Sequence, residues 1–382
     1  MRKSIGVMLG ICLWANVLSG CGSQTDTVTE NNNLTEKDKA ATMENGGGVE
    51  AADTAELGND QTPVTEEGTG EITLPEEELE FWGAECILEI GFEYGVSATQ
   101  EDIIHIGQCS HLKHLQINIY ESEIDLSPLA NLTELETLDI RIIYSPDLSF
   151  MQNLTKLEEL SILASDELDF SPIGSLTGLR RLRMSSYIDN PSDLSFLKNL
   201  NQLTEVTIVA WYSVKDLSYF QNMQCLQNLY VTCVDDVDLN YLSRLTNLET
   251  LTIAGENIRN IDEIGNLINL KDLSLYDGST GARYGETEPL DIRSLENLTQ
   301  LESIELEFIH LEDITPLAKL KRLRDITLVS TKVEDISPLI GLENLHWLHI
   351  YGNQSKLVKE QAETYFSEIE YLTVTDELPN GY

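Results

Sequence analysis

Basic residues are scarce in this chain. Its 382 residues hold 24 Lys and Arg against 65 Asp and Glu, a formal net charge of −41. Such a surface repels phosphate backbones and anionic headgroups and keeps the chain soluble, so nucleic acid is excluded as a partner. Histidine is thin too: His105, His111, His114, His310, His346 and His349. The closest pairs, "HLKH" and "HWLH", have no carboxylate or cysteine spacing that completes a zinc set. G-x-S-x-G, a phosphate loop and H-E-x-x-H are missing. No catalytic residue, metal or cofactor is expected, and the chain reads as a non-enzyme. Beyond the first twenty residues no apolar run is long enough to span a bilayer. Of the cysteines, Cys12 lies in the N-terminal apolar stretch and Cys109 takes a core position, where a thiol acts as a small apolar residue. Cys86 lies one strand away from Cys109, which leaves a bridge between them open; Cys225 and Cys233 are expected at opposite ends of one strand, too far apart to pair.

The N-terminal stretch is of a different kind. Arg2 and Lys3 precede an apolar run from Ile5 to Leu18, which reads as a secretory signal over residues 1–20. It closes on Leu18-Ser19-Gly20-Cys21, which resembles the lipobox of bacterial lipoproteins. That resemblance implies cleavage before Cys21 and a diacylglyceryl thioether on its sulfur. The expected location is the extracellular face of a bacterial cell membrane, held by lipid alone; two acyl chains at about 0.8 kcal/mol per buried CH₂ give stable anchoring. Residues 21–74 follow, rich in Thr, Glu, Asp, Asn and Gly and without an aromatic residue until the stretch ends. They cannot bury enough apolar surface to offset their ordering entropy and read as a disordered acidic tether. Such a coil spans roughly 40 Å on average and about 170 Å at full stretch.

The rest of the chain repeats itself. "LEDITPLAKLKRLRDITLVST" (Leu311–Thr331) and "VEDISPLIGLENLHWLHIYGN" (Val333–Asn353) share one frame. Counting from Asp335, apolar residues stand at positions 1, 4, 7, 10, 13 and 15: Ile336, Leu339, Leu342, Leu345, Leu348 and Ile350. The frame also fits from Asp313, Asp291, Asp238, Asp216, Asp193, Asp169, Asp147, Asp125 and Asp102, and from Asn260. A period usually of 22 to 24 residues predicts a solenoid. Positions 13 and 15 have strand spacing; positions 1, 4, 7 and 10 suit a tight helical turn. In "DLSPL", "DFSPI", "DITPL" and "DISPL" the Ser or Thr is expected to cap that turn and the Pro to open it. No copy can bury its apolar edge alone; stacking buries it.

"LTNLETLTIAGENI" and "ISPLIGLENLHWLHIYGN" resemble leucine-rich repeats of the bacterial, internalin-like kind. The resemblance implies an α/β solenoid, a horseshoe with parallel strands on one face and short 3-10 or α turns on the other, over residues 102–353. Residues 75–101 are expected to cap the front, with a strand at Leu88 and Ile90 behind a short helix bearing Leu79 and Trp82. Residues 354–382 are expected to close the back with a helix and a last strand. The family's Asn, three residues after the second strand apolar, occurs here only as Asn353.

Function is sought where the repeat varies. From Asp to the next strand the count is constant, but from strand to following Asp it rises from 7 to 8 after Ile117 and Ile208, to 9 after Met184 and to 16 after Leu275. All these insertions fall on the edge past the strand ends, with Tyr187, Trp211, Tyr212, Tyr276, Arg283 and Tyr284 in or beside them. Positions 12, 14 and 16 point out of the sheet and include Arg181, Arg183, Tyr230, Trp347, His349 and Tyr351. Aromatic residues and Arg are the usual anchors of protein interfaces, while the Arg pair reads equally well as cross-strand packing against Glu159 and Glu205. The resemblance implies recognition of another protein, on a host or bacterial surface. A solute-binding lipoprotein of a transporter and a structural envelope component are the alternatives.

Overall fold

The computed structural model describes residues 97–378, apart from 145, 165–167, 187–193, 211–213, 215, 235–236 and 279–288. The signal, Cys21, the tether, most of the front cap including Cys86, and Tyr187, Trp211, Tyr212, Arg283 and Tyr284 lie outside the described residues.

Twelve parallel strands form one sheet in sequence order: β1 His114–Ile119, β2 Thr137–Ile142, β3 Glu159–Ala164, β4 Arg181–Ser186, β5 Glu205–Ala210, β6 Asn228–Val234, β7 Thr250–Gly255, β8 Asp272–Asp277, β9 Ser303–Glu307, β10 Asp325–Val329, β11 Trp347–Tyr351 and β12 Tyr371–Val374. This is the solenoid that the repeat predicts. Registers run straight across, as in Leu115↔Leu138 and Ile117↔Ile140, so each frame position forms a row from strand to strand. One slip occurs between β6 and β7, after Val231.

The three-residue spacing on the far side has a direct cause. Leu129 N–H donates to Leu126 C=O, Leu132 to Leu129 and Leu135 to Leu132, at 3.0, 3.1 and 3.0 Å. Each apolar residue thus donates to the previous one, three residues back, which is the 3-10 pattern with three residues per turn. All four side chains therefore fall on one side, and they are buried, as are Leu138 and Ile140 at positions 13 and 15. The same holds in the later repeats; in the first, Cys109 is only half-buried and its thiol reaches the His105 carbonyl at 3.7 Å. Burying each interior Leu or Ile contributes about 1.5–3 kcal/mol.

The turns are capped differently from expectation. The Ser or Thr is the first residue of the 3-10 turn, the Pro the second, and no side chain of the preceding Leu or Ile caps it. Instead the frame's Asp accepts from the backbone N–H two residues on: Ser127 to Asp125, Ser149 to Asp147, Ser218 to Asp216 and Ser337 to Asp335, all at 2.8 Å. A carboxylate has more acceptor capacity than a hydroxyl and also answers the positive end of the turn. Asn260 does not substitute for that Asp; it sits at φ +60° and donates its side-chain amide to Asp238 at 2.8 Å. Asp102 is different again. It lies inside helix α1 (Gln100–Ile106), capped by Thr99, and accepts from Thr99 N–H at 2.8 Å in a capping box. At the other end helix α2 (Lys356–Tyr365), capped by Ser355, buries Val358 and Ala362 and leads to β12, the helix and strand expected there.

Cys225 precedes β6 and is exposed on the return side, so it does not lie at one end of that strand.

Candidate partner-binding face

The outward positions 12, 14 and 16 of successive strands form three rows across the sheet, because the register holds them level. On β3 to β5 the charges are matched. Arg181 pairs with Glu159, its neighbour on β3, and Arg183 lies 3.6 Å from Glu205 on β5. Burial pushes the Asp139 carboxyl above its ordinary range, against the pull of Arg141, the Ser161 hydroxyl and Arg183. The packing role anticipated for the two arginines is therefore present, with both guanidinium groups still partly exposed. Tyr230 stands between Thr207 and Thr252 in the middle of the face.

The last strands differ. Trp347 on β11 stacks on Tyr371 of β12, ring centroids 4.2 Å apart and planes 34° apart. His349 lies 5.6 Å from Trp347, and Tyr351 lies 5.8 Å from His349 in an edge-on arrangement. Trp347 and Tyr371 are each 44% exposed, a large share for rings of that size. Burial lowers the His349 pKa while Asp325, facing Trp347 on β10, draws it back up. Tyr276 at the end of β8 packs edge-on against Phe308 at 5.5 Å, one strand away. Among the predicted residues the structure thus gathers Trp347, His349 and Tyr351, and separates them from Arg181, Arg183 and Tyr230.

Sequence reasoning missed Tyr371, the partner of Trp347. The signal was available: the weakened last frame, started at Lys359, puts Tyr371 at position 12, level with Trp347. It also passed over Asp272 and Glu305, outward on β8 and β9. Burial and the nearby Glu302 push the Asp272 carboxyl above its ordinary range, against a hydrogen bond from Thr250 and the charge of Lys271. A cavity of about 440 Å³ lies on the opposite, 3-10 side, lined by Phe170, Ser171, Gly174, Ser195, Phe196 and Asn199; Asp169 is the one titratable group in its wall. Among the described residues no three His, Cys, Asp or Glu side chains are grouped to hold a metal ion.

A stack of identical coils with an open strand face defines a scaffold for recognition. A family model for the leucine-rich repeat region matches residues 87–337, and the chain belongs to that family. Leucine-rich repeat proteins generally mediate protein–protein recognition and are typically non-enzymatic. No curated protein matches the chain. Among solved structures it is similar to an internalin of Listeria monocytogenes, with 26% identity and a TM-score of 0.54, over 68% of this chain and 71% of that one. A leucine-rich repeat protein of Leptospira interrogans shares the fold at 19% identity and TM-score 0.52, over 73% and 75%. So does the ectodomain of a plant membrane receptor kinase from Arabidopsis thaliana, at 15% and 0.51, over 72% and 34%; that ectodomain was solved in complex with Casparian strip integrity factor 2.

Proposed function

We propose that the chain is a lipid-anchored protein of a bacterial cell surface that recognises another protein through its strand face and the rim beyond the strand ends. The observation that carries the binding half is the Trp347–Tyr371 stack, exposed at the C-terminal end of the strand face. An aromatic pair left open to water on a rigid sheet is the anchor such interfaces use. The family supports a protein as partner. The anchoring half rests on the apolar leader, Leu18–Cys21 and the acidic tether. A tether of that length holds a negatively charged domain off the membrane, where a partner on another surface is within reach.

Two measurements test the halves separately. Cells expressing the full chain and fed an alkyne fatty acid should label it, and Cys21→Ser should abolish both labelling and membrane retention. For recognition, partners cross-linked to the full chain on intact cells are quantified by mass spectrometry. Arg183→Ala, Trp211→Ala and Trp347→Ala should deplete the partner, Trp347→Ala most, by about tenfold. If all three leave recovery unchanged, the face is not where recognition occurs.

A further inference from the structure

Acidic and aromatic residues share one row at the C-terminal end of the face. Asp272, Ser303, Asp325, Trp347 and Tyr371 occupy level positions on five consecutive strands. Glu305 lies two residues along β9 from Ser303, in the next outward row. With strands about 4.8 Å apart, Asp272 and Asp325 are about 10 Å apart, and Trp347 follows about 5 Å later. Among the described residues, the outward positions of β8 to β12 hold no lysine or arginine. On β4 the opposite holds: Arg181 and Arg183 each face a glutamate.

Resting on the recognition reading above, we infer that this end of the face takes a basic segment of the partner protein, with arginine or lysine side chains laid along the row. One cation lies over the Trp347 ring beside Asp325, and another reaches Asp272 and Glu305. Ring faces attract cations, and an arginine plane stacks on indole while its N–H groups reach a carboxylate. Charge complementarity selects this occupant. A neutral glycan would also stack on the rings and donate hydroxyl hydrogen bonds to the carboxylates, but it would leave the negative charge of this end of the face unneutralised, whereas a basic segment offsets it.

The test uses the full-length chain in detergent and a fluorescein-labelled peptide alternating arginine and serine, read by anisotropy. The same peptide with citrulline for arginine keeps the shape and removes the charge. The arginine peptide should bind and the citrulline peptide should not. Trp347→Ala, and separately Asp325→Asn with Glu305→Gln, should each weaken binding about tenfold. Glu334→Gln with Glu343→Gln makes the same charge change at exposed sites elsewhere and should alter it less than about twofold. Far-UV circular dichroism verifies that each variant is folded. Equal weakening by the two double variants would mean diffuse attraction to an acidic protein and would overturn the inference, as would equal binding of the citrulline peptide. So would Trp347-dependent binding of a soluble neutral oligosaccharide in its place. If Trp347→Ala depletes the cross-linked partner while the arginine peptide ignores that change, recognition by the face stands and the basic segment falls. If neither responds to Trp347, the basic segment falls, and recognition by the face falls with it only if Arg183→Ala and Trp211→Ala also leave recovery unchanged.

Discussion

At the scale of single residues, the frame's acidic marker does more than count repeats. Asp238 accepts from Asn240 N–H at 3.0 Å, from the Asn260 amide at 2.8 Å and from the Arg259 guanidinium at 3.3 Å. It therefore caps its own turn and ties it to the next repeat, where Asp238 and Arg259 also form a parallel bridge. Partial burial alone would raise its pKa, but the hydrogen bonds from Asn260 and Asn240 and the charge of Arg259 together hold it below the usual carboxylate range. A depressed folded-state pKa means that the unfolded chain takes up the proton first. The contribution of Asp238 to stability is then present above its unfolded pKa and is lost as pH falls through the lower, folded one. Asp238→Ala should cost about 1–2 kcal/mol at neutral pH, measured by urea denaturation, and the variant should lose less on acidification than the parent does. A parallel loss in both would assign the acid sensitivity to other carboxylates. The sequence displayed this residue by its periodicity, yet not its role, because Asp238 and Asn240, like the Asp and Ser or Thr of other repeats, are both good cap residues and the count alone does not choose between them. Tyr371 stayed hidden for a related reason: its repeat had lost the apolar residues at positions 1 and 4, Glu360 and Glu363, so the frame no longer drew attention to position 12.

At the scale of the element, one repeat is a strand and a 3-10 return sewn to its neighbours along several lines. The Lys113 carbonyl accepts from both Glu136 and Thr137 N–H, and the same double acceptance recurs at Glu136, Glu158 and Arg180. Just past the strand ends the family's usual Asn appears only at Asn353, buried and donating to the Val333 carbonyl at 2.8 Å. Another row takes up part of its work: Asn247, Asn269 and Asn344 donate to the Gln224, Thr246 and Lys321 carbonyls of the preceding repeat at 2.7, 2.9 and 2.8 Å. These stand at position 9, which the frame left unassigned because the residue there varies; the same position holds the Lys156–Glu134 ion pair in earlier repeats. Apolar periodicity thus revealed the strands, the turns and the interior, since burial needs a regular spacing. The polar seams were not legible, because amide, carboxylate and ammonium groups all serve there. The turns also approach closely: a Cβ on Gly265 would lie 2.8 Å from the Ser294 carbonyl, so only glycine fits without displacing backbone. Within a repeat, Leu251 on β7 is fully buried between Leu229 and Leu273. Leu251→Ala should cost about 2–5 kcal/mol. Chemical denaturation would measure it, and a loss below about 1 kcal/mol would mean that the interior collapses into the gap.

At the scale of the whole stack, each strand and turn packs only on the next, so stability is a chain of neighbour terms and the ends are where it can unravel. Both ends of the described residues are held by a helix with a glutamine facing the adjacent repeat. Gln100 of α1 exchanges hydrogen bonds with the Asp125 backbone at 2.7 and 3.1 Å. Gln361 of α2 accepts from Ile336 N–H at 2.8 Å and donates to Asp335 at 2.6 Å. Helix α2 also lays Val358 and Ala362 against the interior, Phe366 just after it does the same, and β12 pairs along β11. A chain ending at Asn353 loses all of this and leaves Leu348 and Ile350 at an open edge. In a neighbour-coupled stack the damage decays with distance. Amide protection measured by hydrogen exchange should therefore fall by about an order of magnitude or more in β10 and β11, while β2 and β3 keep theirs. The same truncation removes Tyr371, so Trp347 loses its stacking partner, and binding at the C-terminal end of the face should fail in a chain whose N-terminal strands are still folded. Should protection drop by the same factor in every strand, the repeats would be unfolding as one cooperative block, and the Trp347–Tyr371 stack would owe its geometry to the whole stack instead of to β11 and β12 alone.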